Sequence, residues 1–494
     1  MLKIIQVYRV VHVIIGVALI GADDYFRRVF HAFIMTKRAG FGESSFAHIC
    51  KIRYDRSMKK NTLIAGLCAV LFAALCMALL SSCGRIKDSV QDKKEKKERS
   101  AYQSLYEELH QEERLRNEAL ARYVRNASVH EKVCQMFIEN IEGDTTFVPV
   151  EKKFIPGGYL FFSYNLADSA RGIMRFTDSI RDWCYKNGEI PPFLAIDQEG
   201  GDVNRLRAVA GPLPSARRVA DTMTLDAAYR LYTAQARQMR ALGFHLNLAP
   251  VVEELTPENE QFLEGRSFGN YMKVRTFGTA CINAYENRGV GAVIKHFPGN
   301  TNADPHTGLP EITLSSERLE ESIKSFSQVL RANPSGTLIS HARTTAVDPG
   351  VPACFSSVWI TERLCGSMGY DGIVFSDDVF MGALNANGYP PEEAAVRAVQ
   401  AGVNCIMISE KRFSKPAAVL IERAKDDEAF EALVDASFEK IIAFKLRCGI
   451  LRYERGADGG YEIVPSPTVQ SVDARLKEFN EAKKQNVDLC VTYF

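Results

Sequence analysis

Seven short apolar runs in the second two-thirds of the chain narrow its possible folds more than any other feature. They are YLFFSY (159–164), FLAIDQ (193–198), HLNLAP (245–250), AVIKHF (292–297), TLISHA (337–342), IVFSDD (373–378) and NCIMIS (404–409). Each is rich in β-branched or aromatic residues, and several follow a glycine. The stretches between them carry helical patterning, as in LDAAYRLYTAQARQMRALGF (225–244). Strands that alternate with helices build βα units and a parallel sheet. Seven clear strands and one less distinct first strand, over about 320 residues, predict an α/β fold: a (β/α)8 TIM-like barrel with insertions. A doubly wound sheet is the alternative.

Polar residues fall at telling places in these runs. Asp197, His296, His341 and Asp377 each stand at the C-terminal end of one. In a barrel those ends form a single rim, where barrel enzymes carry their chemistry. A purely structural account needs four coincidental strand caps.

The front of the chain reads differently. Residues 58–83, MKKNTLIAGLCAVLFAALCMALLSSC, have a basic start, an uncharged and largely apolar run from Leu63 to Leu80, and small residues before Cys83. That is the layout of an export signal. The LSSC ending resembles a lipobox, in which Cys83 would be lipidated. The 18-residue run is also long enough to serve as a retained membrane anchor. Both readings place the rest outside the cytoplasm, attached to a membrane. Because 57 residues precede Met58, the segment 1–57 reads as an over-extended N-terminus, with a second membrane segment around Val10–Ala22 as the alternative. Residues 84–131 mix Lys, Arg and Glu with leucines at near-helical spacing and predict a charged helical spacer. The catalytic barrel is expected over 132–450, and 451–494 as a C-terminal tail.

The near-balanced net charge of +1 gives no reason to expect nucleic acid as a partner. The twelve cysteines include no CxxC pair and no zinc-spaced His/Cys cluster, so neither a metal nor an organic cofactor is implied. Eight of them follow Cys83, at spacings that fix no disulfide.

Four stretches carry the chemistry: AIDQEGGDVNRL (195–206), GRSFG (265–269), KHFPGNTNADPHTGLP (295–310) and GIVFSDDVFMGAL (372–384). In this order, over roughly 130–445, they resemble glycoside hydrolase family 3, specifically its β-N-acetylhexosaminidase branch; HLNLAPVVE (245–253) is similar to a further strand of that family. Cleaving a glycosidic bond needs a group acting at the anomeric carbon and an acid for the leaving oxygen. Residue type alone leaves Asp377 and Asp378 as rivals for the first role. The resemblance implies Asp377, directly after the serine, as the nucleophile of a retaining reaction. It also implies His306 as acid and base, paired with Asp304 two residues earlier. A nearby carboxylate orients an imidazole and stabilises its charged form. Asp197, Arg205, Arg266, Lys295 and His296 match positions that hold the sugar. Glu199 and Glu253 read as supporting groups, with Glu199 a reserve acid.

The loop departs from the family pattern. Asn300 replaces a histidine, Pro305 replaces a common serine, and the loop is about two residues shorter before Asp304. Asp202 stands where a basic residue is frequent. Only about 45 residues follow Gly449, too few for a second domain that would supply the acid. The expected activity is a retaining exo-β-N-acetylglucosaminidase acting on peptidoglycan fragments or other N-acetylated glycans. A glycosidase of other specificity, such as a β-glucosidase, and a catalytically weak sugar-binding lipoprotein are the alternatives.

Overall fold

A computed structural model describes residues 89–303, 308–467 and 470–494, with side chains from residue 102 onward. The segments 1–57 and 58–83, and with them Cys83, lie outside the described residues, as do Asp304, Pro305 and His306. By internal contacts the chain forms two compact units, Met1–His110 and Gln111–Phe494. The described part of the first unit is helical and belongs to α1 (Ser89–Asn126), which continues into the second unit.

The second unit is built on eight parallel strands: β1 (Phe137–Asn140), β2 (Gly158–Phe161), β3 (Phe193–Ile196), β4 (Leu246–Asn247), β5 (Gly291–Phe297), β6 (Gly336–Ile339), β7 (Ile373–Ser376) and β8 (Ile406–Ile408). Neighbours in sequence are neighbours in the sheet, and β8 returns to pair with β1. A parallel bridge between Phe375 and Cys405 joins β7 to β8. The Ser376 N–H donates to the Cys405 carbonyl at 3.0 Å beside it. The sheet is therefore a closed barrel, and the doubly wound alternative is set aside. The seven apolar runs are the strands, and FIEN (137–140) is the first strand that the sequence marked less distinctly.

The glycines that open several strands have a packing reason. A Cβ on Gly158 would lie 2.2 Å from the Phe193 ring, and one on Gly336 would lie 2.6 Å from the Phe375 ring. These phenyl groups meet edge-to-face at 6.4 Å and fill the barrel. Asp197, His341 and Asp377 follow the last residues of β3, β6 and β7 within two positions, and His296 is the penultimate residue of β5.

The surrounding helices follow their sequence signals. Among them, α2 (Ala170–Asn187) begins at the Ser169 cap and ends at left-handed Gly188. In α3 (Leu225–Leu242), the Thr224 hydroxyl accepts from the Ala227 N–H, and left-handed Gly243 ends the helix. The buried face of α3 is rich in alanine, which lets neighbours approach closely.

Next comes α4 (Glu428–Arg447), whose Phe438 and Ile442 join Leu120 and Val124 of α1 in a second apolar cluster with Leu451 and Ile463. Residues after 450 form a hairpin, Leu451–Arg455 with Tyr461–Pro465, and α5 (Val472–Tyr493). Helix α5 buries Phe479, Ala482, Asn486 and Cys490 against the barrel's outer helices. Its Asn486 accepts from Gln235 of α3 at 3.1 Å. This stretch belongs to the same compact unit as the barrel. All eight cysteines from Cys134 to Cys490 are free thiols. No helix among the described residues is long and apolar enough to cross a membrane.

Candidate active site

The rim residues converge through a chain of ion pairs. After β3, Gln198–Gly200 turns back on Val203–Asn204. Gly200 has φ +103°, and a Cβ there would meet the Pro214 carbonyl oxygen at 2.3 Å, so the EGG turn requires glycine. That turn aims Glu199 inward beside Asp197. From β5, Lys295 reaches both carboxylates: its Nζ donates to Asp197 Oδ1 at 2.7 Å and to Glu199 Oε1 at 2.6 Å. Arg266 approaches Glu199 from the other side and is bidentate, with Nε at 2.8 Å and Nη2 at 3.0 Å. The Lys295–His296 peptide bond is cis.

Burial alone would raise the Glu199 carboxyl, but Lys295 and Arg266 outweigh it and hold it down to about 2. These pairs favour the ionised form of Glu199, the opposite of what a proton donor needs. The same pairs push Lys295 and Arg266 up, against their burial.

His296 continues the chain. Its Nδ1 lies 2.7 Å from Glu253 Oε1, and its Nε2 lies 3.5 Å from Arg266 Nη2. Glu253 also accepts the backbone N–H of His296 at 3.2 Å and that of Asn300 at 2.7 Å. Asn300 Nδ2 donates to the same carboxylate at 3.3 Å, so the residue that departs from the family pattern still ties the loop to Glu253.

Asp377 stands apart from these pairs. Its carboxylate accepts the Asp378 N–H at 2.9 Å and makes no ion pair among the described residues. Burial would raise it, but His341, His296, the Asp378 N–H and Lys295 hold it below the ordinary carboxylate value. Asp378 is engaged differently: its Oδ1 accepts the N–H groups of Phe380 and Ser409, each at 3.0 Å. It caps a turn, while among the described residues the Asp377 carboxylate accepts only the Asp378 N–H.

A family model described as "Glycosyl hydrolase family 3 N terminal domain" matches residues 128–444. The chain belongs to glycosyl hydrolase family 3. The Beta-hexosaminidase A of Pseudoalteromonas piscicida is 26% identical over 59% of this chain and 53% of that protein, so the chain spans about half that relative's length. A Beta-hexosaminidase of Pseudomonas aeruginosa strain LESB58 is 31% identical over 52% of this chain and 76% of its own. A solved family 3 β-N-acetylglucosaminidase from Paenibacillus sp. str. FPU-7 superposes with a TM-score of 0.61 at 25% identity, covering 73% of this chain and 69% of that one.

Other family 3 positions are less tightly joined to the cluster. Arg205 follows the short hairpin and stacks over the Phe162 ring at 5.8 Å. Its Nε is buried without a hydrogen-bond partner among the described residues. The loop after β5 is pinned on both flanks of the undescribed residues. Asn302 donates to the Glu258 carbonyl at 2.7 Å, and the Pro310 carbonyl accepts from Arg343 at 2.8 Å. A cavity of about 630 Å³ lies beside this loop and is lined by Glu254, Tyr271, Asn300, Ile312 and Phe326. It shares Glu253 with the charged cluster but does not contain Asp377. No group of metal-ligating side chains is assembled among the described residues. Sequence reasoning passed over Cys354, which contacts His341 from a turn thirteen residues on.

Proposed function

We propose that this protein is a retaining exo-β-N-acetylglucosaminidase. The observation that carries the reading is Asp377: a buried carboxylate at the barrel rim, held ionised, without an ion-pair partner among the described residues, beside a cluster of polar groups fit for a sugar. The hexosaminidase names of the relatives and the solved family 3 β-N-acetylglucosaminidase support the substrate class.

In this mechanism a carboxylate oxygen of Asp377 attacks the anomeric carbon while the bond to the leaving oxygen breaks. His306, oriented by Asp304, protonates that oxygen. It then takes a proton from the water that hydrolyses the glycosyl-enzyme. Asp197, Lys295, Arg205, Arg266 and His296 hold the sugar through charge-assisted hydrogen bonds. Arg205, with a buried Nε left unbonded, has donor capacity to offer a ligand.

The substrates would be terminal N-acetylglucosamine units of peptidoglycan fragments or related glycans, reached outside the cytoplasm. Export through segment 58–83, with a lipid on Cys83 as the membrane tether, is part of this proposal. A relative from Arthroderma benhamiae, 29% identical, is named an uncharacterized secreted glycosyl hydrolase.

The test is hydrolysis of an aryl N-acetyl-β-glucosaminide. Turnover that disappears in Asp377→Asn supports the reading. Cleavage of the corresponding glucoside instead would transfer the protein to another specificity. Binding of N-acetylglucosamine without turnover of either substrate would make it a sugar-binding protein.

A further inference from the structure

We propose that Cys354 and His341 form a positioning pair in which the thiol donates to His341 Nδ1 and fixes the imidazole as its Nε2–H tautomer, so that this N–H holds the backbone turn carrying Asp377. The proposal rests on reading Asp377 as the nucleophile.

Hydrogen-bond chemistry decides the direction of each contact. His341 Nε2 lies 2.9 Å from the Asp378 carbonyl oxygen. A carbonyl only accepts, so Nε2 carries the hydrogen. Nδ1 lies 3.1 Å from the Cys354 sulfur. Both side chains are sealed from solvent, with His341 at 1% and Cys354 at 0% exposure. Burial, together with the charge of Asp377, pushes the Cys354 thiol well up, so it keeps its proton. With the thiol as donor, Nδ1 is the acceptor of the proposed pair.

The backbone builds this contact deliberately close. The Ala353 N–H donates to the Ala342 carbonyl at 2.9 Å, and an antiparallel bridge joins Arg343 to Pro352. These bonds bring the Ala353–Phe355 turn against the end of β6.

Among the described residues the Cys354 thiol and the Asp378 carbonyl contact the imidazole, and the Asp377 carboxylate interacts with it through its charge. His296, Lys295 and the Asp378 N–H also lower the Asp377 carboxyl. Without the thiol, Nδ1 becomes free to take a proton, and the Asp377 charge favours that. An imidazolium there would withdraw charge from the nucleophile.

The experiment uses the full chain with ¹⁵N-labelled histidine, its side-chain nitrogens followed by NMR between about pH 5 and 8, where a free imidazole titrates. His341→Gln assigns the signals by their loss. The expected wild-type signal is an Nε2–H tautomer that does not titrate. In Cys354→Ala the ring should titrate within that range. Its kcat should fall roughly ten- to a hundredfold on the acid side, with KM changed far less. Cys354→Ser, which restores an O–H donor, should recover the wild-type spectrum and pH profile. A charged or Nδ1–H His341 in the wild type, or a Cys354→Ala protein with unchanged spectrum and pH profile, would overturn the pair. If the wild type hydrolyses no N-acetylglucosaminide, the proposed function fails while the spectra still decide the tautomer.

Discussion

The two sides of the rim use carboxylates in opposite ways. On the β3–β5 side, Asp197, Glu199 and Glu253 are all engaged, by Lys295, Arg266, His296 and backbone N–H groups. On the β7 side, Asp377 accepts one backbone N–H among the described residues and is held down by nearby charges that make no ion pair with it there. A carboxylate locked in ion pairs has no lone pair to spend, and it fixes whatever it touches. One held down only by the surrounding field stays available to react. In the proposed mechanism one side holds the ligand and the other attacks it.

Replacing Asp377 with Asn should break the reactive side alone. Turnover should drop by about 10⁴-fold or more while N-acetylglucosamine still binds, as measured by kcat against ligand affinity. Loss of binding to the same extent would mean that Asp377 belongs to the holding side. His306→Ala should act on the same side, slowing natural glycans by about 10²–10⁴-fold. An aryl glycoside with a good leaving group should lose much less, and equal losses on both would remove His306 as the acid.

Glu199→Gln should break the holding side. It leaves Lys295 and Arg266 buried with one carboxylate fewer, and destabilisation on the order of 3–5 kcal/mol is expected by denaturant unfolding. Its pH signature is specific. Glu199 sits at about 2 in the folded chain against 4.5 when unperturbed. A depressed folded value means a contribution fully present above about pH 4.5 and lost as pH falls toward about 2. Glu199→Gln should therefore flatten the dependence of Tm on pH within that window; an unchanged slope would refute the assignment. Asp378→Ala should have the smallest effect, about 1–3 kcal/mol, since it leaves the Phe380 and Ser409 N–H groups unbonded. A loss of turnover as large as that of Asp377→Asn would exchange the roles of the two aspartates.

The sequence by itself determined the barrel and the rim positions. Strand runs, helix caps and the glycines ahead of strands are local signals, and the chain obeys them because each element must bury one apolar face. It also placed Asp197, His296, His341 and Asp377 at strand ends, where a closed parallel sheet brings them to one face.

Tertiary structure decided the partnerships. Lys295 meets Asp197 across 98 residues of sequence, and Glu199 is shared between Lys295 and Arg266. Asp377 and Asp378 are the same residue type side by side in sequence, and only the direction each carboxylate takes after β7 separates the proposed nucleophile from a turn cap. Cys354 carried no motif at all, because its role depends on a bond between the turn that holds it and the end of β6. Local periodicity fixes which face a residue occupies; which charge it then meets depends on closure of the barrel, which no local pattern records.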